Sequence, residues 1–231
     1  DQDNFYYQEF RSDETDRRFT EDVVNLNIVS PRYAIRALSE GEQEAAETEK
    51  VPANKRLLLP VLVYIHGGGF ETGTVSELPG GVCTEYAGRD IVYVAIGYRL
   101  NVFSLFNSMN YGLLDQVMSL KWLQENIAAF GGDPAHMTLI GQSAGAMSIM
   151  DLCYSGKLKG LVQGAVLMSG GGMVPGFVGP LTREEFWPFW EKIMLECGAR
   201  NIEELKKTDA EKLWRTWYQE SRAAKSLRFV Q

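Results

Sequence analysis

Residues 141–145 read Gly-Gln-Ser-Ala-Gly, and residues 66–70 read His-Gly-Gly-Gly-Phe. A serine hydroxyl becomes an effective nucleophile only when a base takes its proton and donors receive the charge that forms on the attacked carbonyl. The first stretch offers that hydroxyl, Ser143, on a bend that flanking glycines allow to be tight. The second offers consecutive backbone N–H groups that no side chain shields, as a developing oxyanion requires. Together the two stretches point to acyl transfer. Each also has a blander reading. Ser143 could be an inert helix cap, and the triple glycine a simple turn or a phosphate cradle. A phosphate cradle wants a lysine or a Gly-x-Gly-x-x-Gly spacing, and neither is present there.

The base is the missing piece. The chain has two histidines, His66 and His136. His136 precedes the short strand that ends at the serine, so at ~3.3 Å per residue it sits on the order of 15–20 Å away. A general base must reach the hydroxyl at ~3 Å, directly or through one water. His66 stands at the correct end of its strand, but it opens the glycine loop, and its expected duty is to brace that loop. Neither histidine is the base.

Positioning these residues takes a particular set of elements. Apolar runs over 57–65, 91–96, 137–140 and 161–168 read as strands, and three of them end in chemistry or glycine: the first in His-Gly-Gly-Gly, the third in the serine stretch, the fourth in Ser-Gly-Gly-Gly. An alternating segment over 22–28, closed by Ser30-Pro31, predicts another strand. Strands apolar on both faces belong to sheets covered on both sides, usually parallel with crossover helices. Leu113, Val117, Leu120, Leu123, Ile127 and Phe130 recur at helical spacing, and Gly131 with Pro134 ends that helix. A second helix is expected to start directly after Ser143. Beyond Pro180 the chain turns helical and amphipathic, with Thr182 and Glu185 spaced as a capping box. Phe186, Trp190, Trp214 and Trp217 read as packing residues. The prediction is one α/β domain over 1–231, partial in extent, with its core over 21–172 and a helical addition over 181–231.

Composition narrows the function. Hydrophobic residues make up 45% and charged residues 23%, typical of a globular protein, and the net charge of −7 gives no reason to expect nucleic acid or an anionic membrane as partner. No apolar run approaches the ~18–20 residues of a membrane span. The acidic stretch over 39–50 reads as a solvated surface insertion. Cys83, Cys153 and Cys197 are widely spaced and odd in number, so they read as small buried hydrophobes in a reducing, cytoplasmic setting.

The stretches EDVVNLNI, PVLVYIHGGGF, GYRLNVF, NYGLLDQVMSLKWLQENIAAFGGDP, MTLIGQSAGAMS and AVLMSGG, in this order, resemble the type-B carboxylesterase family, the cholinesterase-like branch of the α/β hydrolases. The resemblance implies the α/β-hydrolase fold, Ser143 as nucleophile, and an oxyanion hole from the N–H groups of Gly68, Gly69 and Ala144. It implies a small-molecule ester as substrate and calls for no cofactor or metal. It also implies the chain order serine, acid, histidine, which excludes His66 as base. Two departures matter. Val23 stands where the family commonly has a cysteine, which fits a bacterial-type intracellular esterase. Gln142 stands where the family commonly has glutamate, which makes cationic, choline-like substrates a poorer expectation. With neither the acid nor the histidine in reach, the chain reads as incomplete: its partner would be the missing C-terminal part of the same protein, and alone it would be inactive. The competing reading is a non-catalytic adhesion or binding module of the same fold, although such members typically lose the serine.

Overall fold

The apolar runs become strands because they are short, are bounded by glycine and polar residues, and bury their side chains under covering helices. The computed structural model describes residues 23–35, 58–77, 80–170 and 182–223. Five strands form one sheet: β1 (Leu26–Val29), β2 (Leu59–Ile65), β3 (Val92–Ile96), β4 (Gly132–Gln142) and β5 (Gly164–Met168), in the spatial order β1-β3-β2-β4-β5. β1 runs antiparallel to β3, and the other neighbours pair in parallel. All five residues of β3 are buried, as a central strand covered on both faces should be.

Helix α1 (Gly80–Gly88) precedes β3, and α2 (Asn101–Ser104) follows it. Helix α3 (Tyr111–Asn126) continues into a 3-10 turn over Ile127–Phe130 and leads to β4, while α4 (Ala144–Tyr154) leads to β5. The predicted stripe on α3 faces the sheet: Val117, Leu120, Leu123 and Ile127 are buried with Val61, Val63, Val94 and Leu139 in one cluster. Gly131 ends the 3-10 turn in the left-handed conformation, φ 80°, the cap its position in the sequence predicted. Asp115 of α3 accepts from Arg99 Nε at 2.8 Å and Nη2 at 2.7 Å, tying the helix to the segment after β3.

The helical addition is α5 (Arg183–Cys197), α6 (Ile202–Leu205) and α7 (Ala210–Ala223). Phe186, Trp190, Ile193, Leu213 and Trp217 pack with Val102 and Leu105 into a second cluster. The capping box forms: Glu185 N–H donates to Thr182 Oγ1 at 3.2 Å, and Thr182 N–H to Glu185 Oε2 at 2.7 Å. Among the described residues no helix is long and apolar enough to cross a membrane.

Several sequence expectations need correction. The first strand covers 26–29 instead of 22–28, because its partner β3 ends at Ile96 and the ladder cannot begin before Leu26 meets it. The third starts at Gly132, not Met137. Leu59 pairs with Gly132 and Val61 with Met137, so residues 133–136 bulge outward opposite Pro60, which has no N–H to offer the ladder. The last strand begins at Gly164; Leu161 and Val162 instead pack onto the core from the preceding turn. Cys153 is exposed, unlike Cys83 and Cys197. Trp214 is 38% exposed and stacks on Tyr218 at the surface. The acidic stretch over 39–50 lies outside the described residues.

Candidate active site

β2 and β4 are parallel neighbours that end level, with Ile65 opposite Gly141. The two sequence stretches therefore leave the sheet side by side at one edge. This register brings the glycine loop to the serine.

Ser143 stands alone between β4 and α4 with φ 53° and ψ −121°. A non-glycine residue held there costs on the order of 1–3 kcal/mol, and such strain tends to persist where neighbouring structure fixes it. Here the fixing bonds run to both sides: Ser143 N–H donates to Met168 O of β5 at 2.9 Å, and Met147 N–H of α4 donates to Ser143 O at 3.0 Å. The glycines exist for close approach. A Cβ on Gly145 would stand 2.0 Å from Ile65 O, and one on Gly67 would stand 3.3 Å from Ser143 Cβ. The Ser143 side chain makes no capping bond to the helix, so the inert-cap reading fails. The Ala144 N–H is in the first turn of α4, where a helix amide has no intrahelical partner and the dipole favours negative charge.

The glycine loop is pinned peptide by peptide. In a planar trans peptide the C=O and N–H point in opposite directions, so whatever holds the carbonyl also aims the next amide. Tyr98 Oη donates to His66 O at 2.8 Å. His66 Nδ1 donates to Gly67 O at 2.9 Å, which turns the Gly68 N–H the other way. Gly68 O accepts from the N–H groups of Glu71 and Thr72 at 3.1 and 3.0 Å and from Thr72 Oγ1 at 3.3 Å, which aims the Gly69 N–H. Asn101 N–H closes the loop on Phe70 O at 2.7 Å. Among the described residues the amides of Gly68 and Gly69 have no backbone acceptor. Two adjacent, oriented, unspent donors are what an oxyanion hole consists of.

His66 braces the loop as predicted, while His136 lies within β4 instead of in a loop before it. His66 is 1% exposed, and its ring lies flat on Tyr98 with centroids 4.4 Å apart. Burial drives its pKa down to about 4, so it is neutral at pH 7 and spends its Nδ1 proton on the loop. His136 is exposed on the outward bulge of β4, seven residues before Ser143, with Nδ1 2.5 Å from Asp133 Oδ2. Among the described residues no group of three or more His, Cys, Asp or Glu is arranged to hold a metal ion.

Sequence reading missed the loop's supports. Tyr98 and Asn101 lie 32 and 35 positions from His66, and nothing in their local sequence marks them as partners. Gly73 carried a weak signal, a glycine shortly after three others. A Cβ there would fall 2.1 Å from His66 Nδ1.

Residues 2–230 match the profile of the carboxylesterase family. Carboxylesterase 1F of Mus musculus is 34% identical over 196 residues, which is 82% of this chain and 30% of that protein. The structure of a thermophilic PNB esterase superposes with a TM-score of 0.70 at 33% identity, over 90% of this chain and 40% of the other. A Geobacillus stearothermophilus carboxylesterase superposes at 0.67 with 35% identity, over 87% and 41%. The chain thus spans about a third of the length of the curated relatives it matches. Mammalian sequences and a bacterial structure match alike, so this kinship does not single out a bacterial source.

Proposed function

The chain belongs to the carboxylesterase family, and from that premise we propose that the protein hydrolyses carboxylic esters by acyl transfer to Ser143. Ser143 Oγ attacks the ester carbonyl, and its proton passes to a base. The carbonyl electrons move onto oxygen, where the amides of Gly68, Gly69 and Ala144 receive them. Collapse of that intermediate expels the alcohol, which takes the proton, and leaves an acyl-serine. Water then repeats the sequence and frees the acid. The single observation that supports this most is the pairing of a serine at φ 53° with a loop whose Gly68 and Gly69 amides are unspent.

The base belongs outside these 231 residues. His66 is buried and committed to Gly67, and His136 is on the bulge of β4, seven residues before Ser143. An imidazole and its orienting carboxylate supplied by further sequence of the same protein complete the triad in this reading. Gln142 leaves the residue beside the nucleophile uncharged, which favours small neutral esters over cationic ones. The reading includes a cytoplasmic location, which is supported by Cys83, Cys153 and Cys197 standing outside any disulfide.

The test is p-nitrophenyl ester hydrolysis, with fluorophosphonate labelling, by the 231-residue chain and by the full-length protein. The full-length protein is expected to turn over and to label at Ser143, the 231-residue chain to turn over at least ~10³-fold more slowly, as loss of a triad member entails, and Ser143→Ala to abolish both signals. Turnover that survives Ser143→Ala would overturn the assignment.

A further inference from the structure

Two strained backbone positions face each other at the exit of the glycine loop. Phe70, directly after the glycine triplet, holds φ 59°, and Asn101, the first residue of α2, holds φ 49°. Glycine adopts such angles freely and asparagine tolerates them, whereas a β-branched residue there is an outlier. Strain of this kind persists where the surrounding structure fixes it. Here a single bond joins the two residues: Asn101 N–H donates to Phe70 O at 2.7 Å.

That bond opens a relay that ends in the oxyanion hole. Phe70 C=O and Glu71 N–H belong to one planar peptide, so the bond from Asn101 fixes where the Glu71 N–H points. It points at Gly68 O, 3.1 Å away. Gly68 C=O and Gly69 N–H form the next planar peptide, and the Gly69 N–H is one of the two donors with no backbone acceptor among the described residues. The relay also has a tail, because the Asn101 N–H shares its peptide with Leu100 O, which accepts from Ser104 N–H of α2 at 3.2 Å. Three hydrogen bonds therefore run head to tail from α2 to the peptide that carries the Gly69 donor. Bonds in such a chain polarise one another, which makes the last N–H a better partner for negative charge. The starting point is itself fixed on α3: Arg99 bonds Asp115 through its N–H, Nε and Nη2 at 3.1, 2.8 and 2.7 Å.

We propose that Asn101 is a positioning residue of the oxyanion hole: its amide, held in the left-handed region, starts the relay that aims and polarises the Gly69 N–H. This rests on the assignment of Ser143 as nucleophile. What the position requires is the backbone angle, so glycine can replace asparagine there and valine cannot. The relay acts on charge that forms in the transition state, so its loss lowers kcat and leaves substrate binding alone.

The experiment compares wild type, Asn101→Gly, Asn101→Val, Asn101→Ala and Ser143→Ala in the full-length protein. It reads kcat and KM for p-nitrophenyl butyrate and the inhibition constant of an alkyl trifluoromethyl ketone (whose adduct places a negative oxygen in the hole). Asn101→Gly should stay within about 3-fold of wild type in all three. Asn101→Val should lower kcat ~10–100-fold, less than the ~10²–10³-fold of deleting a hole donor outright. The smaller loss follows because Thr72 N–H still holds Gly68 O at 3.0 Å. KM should remain within about 2-fold, and the inhibition constant should rise in parallel with the fall in kcat. If Asn101→Val does not fold, Asn101→Ala carries the test with a ~3–10-fold change in the same direction, since alanine lacks the branch that makes valine an outlier. A fall in kcat at an unchanged inhibition constant would mean that less enzyme is folded and would overturn the proposal. Wild-type kcat in Asn101→Val, or an equal loss in Asn101→Gly, would overturn it as well. With Ser143→Ala inactive in the same assay, such a failure would belong to Asn101 alone, whereas an active Ser143→Ala would remove the premise itself.

Discussion

At Ser143 and His66 single side chains carry costs that their neighbours offset. Ser143 holds φ 53° because β5 and α4 each take one of its backbone groups. His66 is buried with its pKa lowered from 6.5 to about 4, which ties the loop's integrity to pH. The native state resists protonation of this imidazole while the unfolded chain does not. The contribution is therefore complete above pH 6.5 and is lost as pH falls toward 4, a change of about 3 kcal/mol over the interval. Glu77, with its pKa raised, acts in the opposite sense: it gives up stability as pH rises through its native value. Comparison with His66→Phe cancels that contribution, since Glu77 is common to both. Urea unfolding at pH 7 and pH 4 should show the wild type losing about 3 kcal/mol more than the variant. Equal losses would mean that His66 is not neutral in the folded state.

At the scale of elements, helix ends were the most legible features and strand ends the least. The Thr182/Glu185 box and the Gly131 cap are local devices whose partners lie within four residues, so spacing alone reveals them. Thr182→Ala should destabilise α5 by about 1 kcal/mol, seen as faster hydrogen exchange in residues 183–188 with the sheet amides unchanged. No change in that segment would mean the cap contributes nothing. The starts of β1 and β4 were misplaced because a ladder's limits are set by its partner. Ile96 decides where β1 can begin, and the bulge opposite Pro60 lets β4 reach back to Gly132.

At the scale of the whole molecule, the sheet is well covered in its middle and bare at one side. Val166, Leu167 and Met168 of β5 are 45%, 41% and 37% exposed, and among the described residues β5 pairs only with β4. These residues alternate across the strand, so both faces of β5 show apolar surface to solvent beside an open hydrogen-bonding edge. Such an edge recruits other chains. The 231-residue chain by itself should elute ahead of its monomer position in size exclusion and scatter light in proportion. Leu167→Lys should move it toward the monomer. A wild-type chain that is monomeric at tens of micromolar would show the edge to be harmless. The same uncovered strand supplies Met168 O to Ser143, so the nucleophile's backbone leans on the least protected part of the sheet.

The sequence by itself determined which residues could meet: a serine between glycines after an apolar run, a triple glycine after another, and helical stripes to cover the strands. It also excluded both histidines, one by distance along a strand and one by its place in the loop. Those features are local, and a period or a spacing of a few residues expresses them fully. Only the tertiary structure decided that Ile65 ends level with Gly141, that Tyr98, Thr72 and Asn101 turn the loop's carbonyls aside, and that Glu77 sits buried against Tyr64. These contacts join residues up to 76 positions apart in pairing register. No local pattern encodes them, because each depends on where the packing of the whole sheet brings a hydroxyl, an amide or a carboxyl group.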